Sequence, residues 1–203
     1  MKKIIIAVTI ICSYIVTAQS PAHDQVIMKV ADYFEAFDNK NTQVMSDLMH
    51  PGHFTYINKA DYINGMNYAF EIQNSSNFTI KFEPRDFSKL SYSDIIKGNA
   101  GDEYVFLNFP DKMKVQVLNP NAPDIKGVNL ADAFLEMGMS VFKHNEHEFE
   151  VYDQKVIIAI KDKATEGDWK FMFEYNGEDF FNILPQEINE KAIEYLNSIT
   201  TRQ

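Results

Sequence analysis

The chain reads as an α+β protein with an antiparallel sheet, and three observations predict it. Between Asp24 and Phe70 the apolar residues recur at spacings of three and four, the period of amphipathic helices. From Phe78 the period changes to alternation, with Phe78, Ile80 and Phe82 on one side and Thr79, Lys81 and Glu83 on the other. The strand-like segments that follow are joined by short turns, whereas parallel neighbours would need a helix between them.

Taken in order, the first helix carries Ile27, Val30, Ala31, Phe34 and Phe37 on one face and stops at Asp38-Asn39-Lys40-Asn41. Thr42 is placed to cap a second, short helix with Val44, Met45, Leu48 and Met49 inward, and Pro51-Gly52 ends it. Residues 54–57 read as a short extended segment. Asn58, with Asp61 three residues on, resembles a capping signal for a third helix carrying Tyr62, Ile63, Met66, Ala69 and Phe70, closed by Asn74-Ser75-Ser76.

After the alternating segment at 78–82, strands are expected over 90–96, 103–109 and 113–118, broken at Gly98-Asn99-Ala100-Gly101 and at Pro110-Asp111-Lys112. Residues 119–124 are rich in Asn and Pro and read as a surface loop. Asn129 then caps an inserted helix with Leu130, Phe134, Leu135, Val141 and Phe142 inward. Strands over 156–160 and 169–174 flank a polar turn, and a C-terminal helix carries Ile188, Ala192, Leu196 and Ile199.

Composition narrows the function classes. Hydrophobic residues make up 45% of the 203 and charged ones 24%, with 16 Phe, 10 Tyr and one Trp to fill a core. The net charge of −10 opposes binding to nucleic acid or to an anionic membrane surface. Residues 1–18 read as a signal peptide: Lys2-Lys3, an apolar run at 4–16, and Val16-Thr17-Ala18 as a small-residue cleavage site. An apolar run of that length is too short to span about 30 Å of bilayer as a helix. Cleavage after Ala18 leaves one domain over 19–203, expected in the periplasm or outside the cell and with no membrane association. It removes Cys12, the only cysteine, and two of the 19 basic residues, so 17 face 29 acidic ones and the net charge becomes −12. Disulfides and cysteine nucleophiles are thereby excluded from the mature chain.

The pattern of Tyr33-Phe34-Glu35-Ala36-Phe37-Asp38 on the first helix, Leu48-Met49-His50-Pro51-Gly52-His53-Phe54 after the second, and Asp168-Trp169-Lys170-Phe171 on the last strand resembles the nuclear transport factor two-like (cystatin-like) superfamily. The resemblance covers most of residues 24–175, and the segment from Asn119 to His147 departs from the minimal pattern. It implies a cone in which a curved antiparallel sheet wraps around the N-terminal helix and encloses a pocket. Enzymes of that superfamily include isomerases, dehydratases and epoxide hydrolases that place an acid and a tyrosine or histidine in such a pocket.

The candidate residues follow from that frame. Tyr33, Phe34, Phe37, Tyr56, Tyr104, Phe106 and Trp169 are expected to line an apolar pocket, suited to a small apolar ligand. His53, Asp38 and Tyr56 are the candidates for proton transfer or oxyanion stabilisation, although Asp38 also suits a turn between helices and a tyrosine equally suits a core. His50, at a helix end, suits the last carbonyls as a cation. His144 and His147 sit among carboxylates, but their spacing fixes no common geometry, so neither a metal nor a cofactor is expected. No phosphate-cradling glycine loop or Gly-x-Ser-x-Gly elbow is present. The balance favours a noncatalytic binding domain for a small apolar ligand or a protein partner. An isomerase, dehydratase or hydrolase and a structural domain that forms a homodimer are the alternatives.

Overall fold

Local capping and apolar spacing set the N-terminal helices, as seen in the computed structural model, which describes residues 21–73, 75–122, 129–173 and 183–200. The expected signal peptide at 1–18, residues 123–124 of the loop and residue 174 of the last strand lie outside the described residues. Helix α1 (Pro21–Asp38) buries Val26, Val30, Tyr33, Phe34 and Ala36, the face that the spacing of three and four creates. Lys40, with φ of 56°, turns the chain toward α2 (Thr42–Leu48). Asn41 rather than Thr42 caps that helix, its Oδ1 accepting from the Val44 N–H at 3.2 Å. Thr42 is buried, and its hydroxyl donates to Asn67 Oδ1 at 3.0 Å. Met45 and Met49 point inward, whereas Val44 is exposed.

Residues 54 and 55 are not extended: Pro51–Thr55 form a 3-10 turn, started by the fixed φ of Pro51. Helix α3 (Lys59–Ile72) begins at Asn58 as the capping signal predicts, with Asn58 Oδ1 accepting from the Ala60 N–H at 2.8 Å.

The described strands are β1 (Phe78–Phe82), β2 (Ser91–Tyr92), β3 (Ile96–Lys97), β4 (Glu103–Val117), β5 (Ser140–Lys143), β6 (Glu148–Lys161) and β7 (Lys170–Met172). They form one antiparallel sheet in the order β1-β4-β6-β5, with β2 and β3 also on β4 and β7 on β6. The expected break at Pro110 does not occur, and β4 is a single strand of 15 residues paired with β6 from Glu103↔Lys161 to Gln116↔Glu148. Pro110 is tolerated because on its other side β2 reaches only Asn108 and β1 begins only at Met113. A strand proline is admitted where a ladder partner is missing. Strand β6 likewise begins at Glu148 rather than at Val156. The inserted helix α4 (Leu130–Glu136) is capped by Asn129 as expected but ends before Gly138, which takes φ of 80°, so Val141 and Phe142 belong to β5.

Successive side chains of β4 and β6 alternate between two covered faces. Val105, Leu107 and Phe109 with Ile157 and Ala159 pack against α1, alongside Trp169 and Phe171. Tyr104, Phe106, Val156, Ile158, Ile160 and Met172 pack on the opposite face under Ile188 and Ala192 of α5 (Gln186–Thr200). Farther along the α1 face, Met113, Val115, Phe149 and Val151 form a third cluster with Ala131 of α4. Among the described residues no helix is long and apolar enough to cross a membrane.

Candidate functional site

The stretch of β4 that neither β1 nor β2 covers is filled by the chain between those two strands, and this brings Arg85 over the sheet. The Arg85 side chain is only 4% exposed. Its Nη1 donates to Asp38 Oδ1 at 2.6 Å and its Nη2 to Asp111 Oδ2 at 3.2 Å. The guanidinium carbon lies 4.5 Å from the ring centre of Phe34, 4.9 Å from Phe37 and 5.2 Å from Phe82. A flat, weakly hydrated cation is the group such a site accepts, since it stacks on rings while its edge meets carboxylates. The Nε–H is buried and has no hydrogen-bond partner among the described residues.

Beside Arg85 lies a cavity of about 120 Å3. Aromatic rings of α1 (Tyr33, Phe34, Phe37) and of the sheet side (Phe82, Phe109, Phe173) wall it, with Met113 and Ile157. Tyr33 stacks on Phe173 with ring centres 3.8 Å apart, and Phe34 meets Phe109 at 5.3 Å. The polar end is Arg85 with Asp111 and Asp153, residues directly opposite each other in the β4–β6 register. Like charges at opposed positions of a ladder repel, and the guanidinium bound to Asp111 offsets that repulsion.

Tyr33, Phe34 and Phe37 therefore line the cavity, and Asp38 holds Arg85 from the exposed side. The other candidates lie elsewhere. Tyr104 and Phe106 sit on the opposite face of the sheet against the C-terminal helix, because their positions on β4 alternate with those of Val105 and Phe109. Burial first, then the neighbouring charges of Asp102 and Asp162, push the Tyr104 phenol up to about 12, so it stays a neutral core residue. Trp169 is 1% exposed and fills the core under α1 without touching the cavity. Tyr56 is 55% exposed just beyond the 3-10 turn. His53 packs edge-on to Phe54 and Tyr62, at 5.5 and 5.8 Å, away from the cavity lining.

His50 does not act as a helix-ending cation. Its Nδ1 accepts from the Gly52 N–H at 3.0 Å, which leaves Nε2 to donate to Asp162 Oδ2 at 3.2 Å. A Cβ on Gly52 would lie 2.9 Å from that Nδ1, so glycine is required there by close approach. His144 and His147 are exposed in the turn between β5 and β6, with His144 Nε2 3.5 Å from Glu150 Oε1. Among the described residues no group of three His, Cys, Asp or Glu side chains is arranged to hold a metal ion. That turn borders a larger cleft of about 720 Å3, lined by His144 and His147 together with Leu130, Ala131 and Phe149.

Sequence reasoning missed Arg85, Asp111 and Asp153. The signal was present in phase: Phe109, Asp111 and Met113 share one face of β4 and Val151 and Asp153 the matching face of β6, so Asp111 interrupts an inward apolar series and Asp153 follows an inward valine. Breaking the first strand at Pro110 and starting the second at Val156 hid both. No protein-family model, no curated protein and no solved structure matches the chain.

Proposed function

We propose that this is an exported, noncatalytic binding domain of the nuclear transport factor two-like type, which holds a small, largely apolar molecule between α1 and the sheet. The observation that carries the reading is the cavity of about 120 Å3 walled by aromatic rings and ended by a buried arginine. A long antiparallel pair with a helix on the cavity side supports the cone as the architecture.

Thermal shift and calorimetric titration with a panel of small aromatic molecules test it. Wild-type protein should bind at least one member. Met113→Phe, which puts a ring into the cavity, should abolish that binding, while Ile158→Val on the opposite face should leave it unchanged. Absence of binding across the panel would remove the reading and favour a structural role.

The facing carboxylates favour acid–base catalysis as a second reading, because Asp111, Asp153 and the Tyr33 ring line one cavity. Turnover of a bound molecule, lost in Asp153→Asn with binding retained, would establish it.

A further inference from the structure

We infer that Gln19 is a modification site: as the amino-terminal residue of the mature chain it closes on itself to pyroglutamate, and the loss of the terminal charge stabilises α1. This rests on the reading of residues 1–18 as a cleaved signal peptide.

The reaction needs only what one residue carries. An α-amino group titrates at about pH 8, so a share of it is a neutral nucleophile near neutral pH. Its nitrogen attacks Cδ of the same residue's side-chain amide, the bond from Cδ to Nε2 breaks, and Nε2 leaves as ammonia with the proton that the amine gives up. The product is a five-membered lactam, reached without oxidant, reductant or co-reactant. Holding both groups in one residue makes the step intramolecular, which favours it over attack by any outside amine. Cleavage one or two residues further on would leave Ser20 or Pro21 first, and neither carries an amide to close on.

The modification acts on α1. That helix begins at Pro21, two residues on, and its start is tied to the sheet side. Ala22 packs against the core under α1, and His23 Nε2 donates to the Ser93 carbonyl oxygen at 3.1 Å while its ring centre lies 4.9 Å from that of Tyr92. Two residues of chain reach at most about 7 Å, so the terminal ammonium stays close to the first turn. The N–H groups of that turn form the positive end of the helix dipole, which favours carboxylates and repels an ammonium. Asp24, the acidic residue of the turn, is exposed, so water and salt limit how far it offsets the ammonium. A lactam carries no charge, and its formation removes the repulsion as acetylation would.

The test uses the mature protein recovered from its native compartment. Free amines are dimethylated before digestion, so that cyclisation during preparation is not counted, and the terminal peptide is read by mass spectrometry. It should begin at residue 19, carry no label on its terminus and be lighter than the glutamine form by one ammonia, about 17 Da. A dimethylated Gln19 terminus would overturn the cyclisation while leaving the export reading intact. A terminus at Met1, or at any residue other than 19, would overturn both. Gln19→Asn, whose closure would need a strained four-membered ring, should keep its ammonium and melt about 1–3 °C lower, a difference that shrinks in about 1 M salt. Equal melting temperatures would overturn the stabilising role of the lost charge.

Discussion

Arg85 is held as a buried cation by one protected and one exposed carboxylate, and these do not contribute equally. Asp38 is 59% exposed, so water and salt weaken its pairing, whereas Asp111 is 15% exposed and lies opposite Asp153. Arg85→Met should therefore destabilise the protein by about 3 kcal/mol, chiefly by leaving the protected carboxylate of Asp111 without its cation. Arg85→Met combined with Asp111→Asn should recover part of that loss, because the protected carboxylate that has lost its cation is gone. Urea unfolding followed by the fluorescence of Trp169 measures both, since it is the sole tryptophan and sits in the core. An Arg85→Met protein as stable as wild type would show that the guanidinium contributes nothing net. His50 shows the same dependence on partners: one ring nitrogen accepts from a glycine N–H and the other faces Asp162, which makes it a structural pin.

The long β4–β6 pair carries different chemistry along its length. Near Tyr104 and Phe106 its outer face is covered by α5. Farther out, on that same alternating set of positions, lie Lys112, Lys114, Glu150 and Tyr152, and Glu83 joins them from beyond β1. Tyr152 Oη donates to Glu150 Oε2 at 2.8 Å, and Lys112 Nζ is 3.1 Å from the same carboxylate oxygen. The hydrogen bond from Tyr152, then that from Lys112, hold the Glu150 carboxyl down at about 2, and Lys112's own hydrogen bonds, to Tyr152 first and then to Glu150, raise its ammonium. Because the folded value lies below the unfolded one, this contribution is complete above about pH 4.5 and is lost as pH falls toward 2. Asp47, held down first by its hydrogen bond from Lys59, shifts in the same direction, as does Asp86 through its bonds from Ser88. The urea midpoint should fall between pH 4.5 and 2, and Glu150→Gln should flatten that fall. An unchanged profile in the variant would show that this cluster carries none of the acid sensitivity.

At the scale of the whole molecule, the sheet is covered on two faces by helices from opposite ends of the chain, α1 on the cavity side and α5 on the other. That places the site on one face and leaves the C-terminal helix a covering role. The proposed export belongs to this scale too, since Lys2-Lys3, the apolar run at 4–16 and Val16-Thr17-Ala18 precede the first described helix at Pro21. N-terminal sequencing of the protein recovered from its native compartment should begin at Gln19. Retention of Met1 would refute it.

Some local signals by themselves determined the outcome, although others, such as the expected cap at Thr42 and the extended reading of 54–57, did not. The helical period placed α1, Asn58 and Asn129 capped the helices they precede, and alternation placed β1, because capping and amphipathic spacing act within a few residues. The resemblance to the cone superfamily pointed to Tyr33, Phe34 and Phe37, which line the cavity. Only the tertiary structure decided that Pro110 lies within a strand, since that depends on which neighbours β4 lacks at that point. The same gap lets a loop 26 residues away in sequence set Arg85 against Asp111, a contact that no local pattern encodes. The face of each strand residue is likewise a matter of phase and long-range register, which is why Tyr104 and Phe106 belong to one core and Val105 and Phe109 to the other.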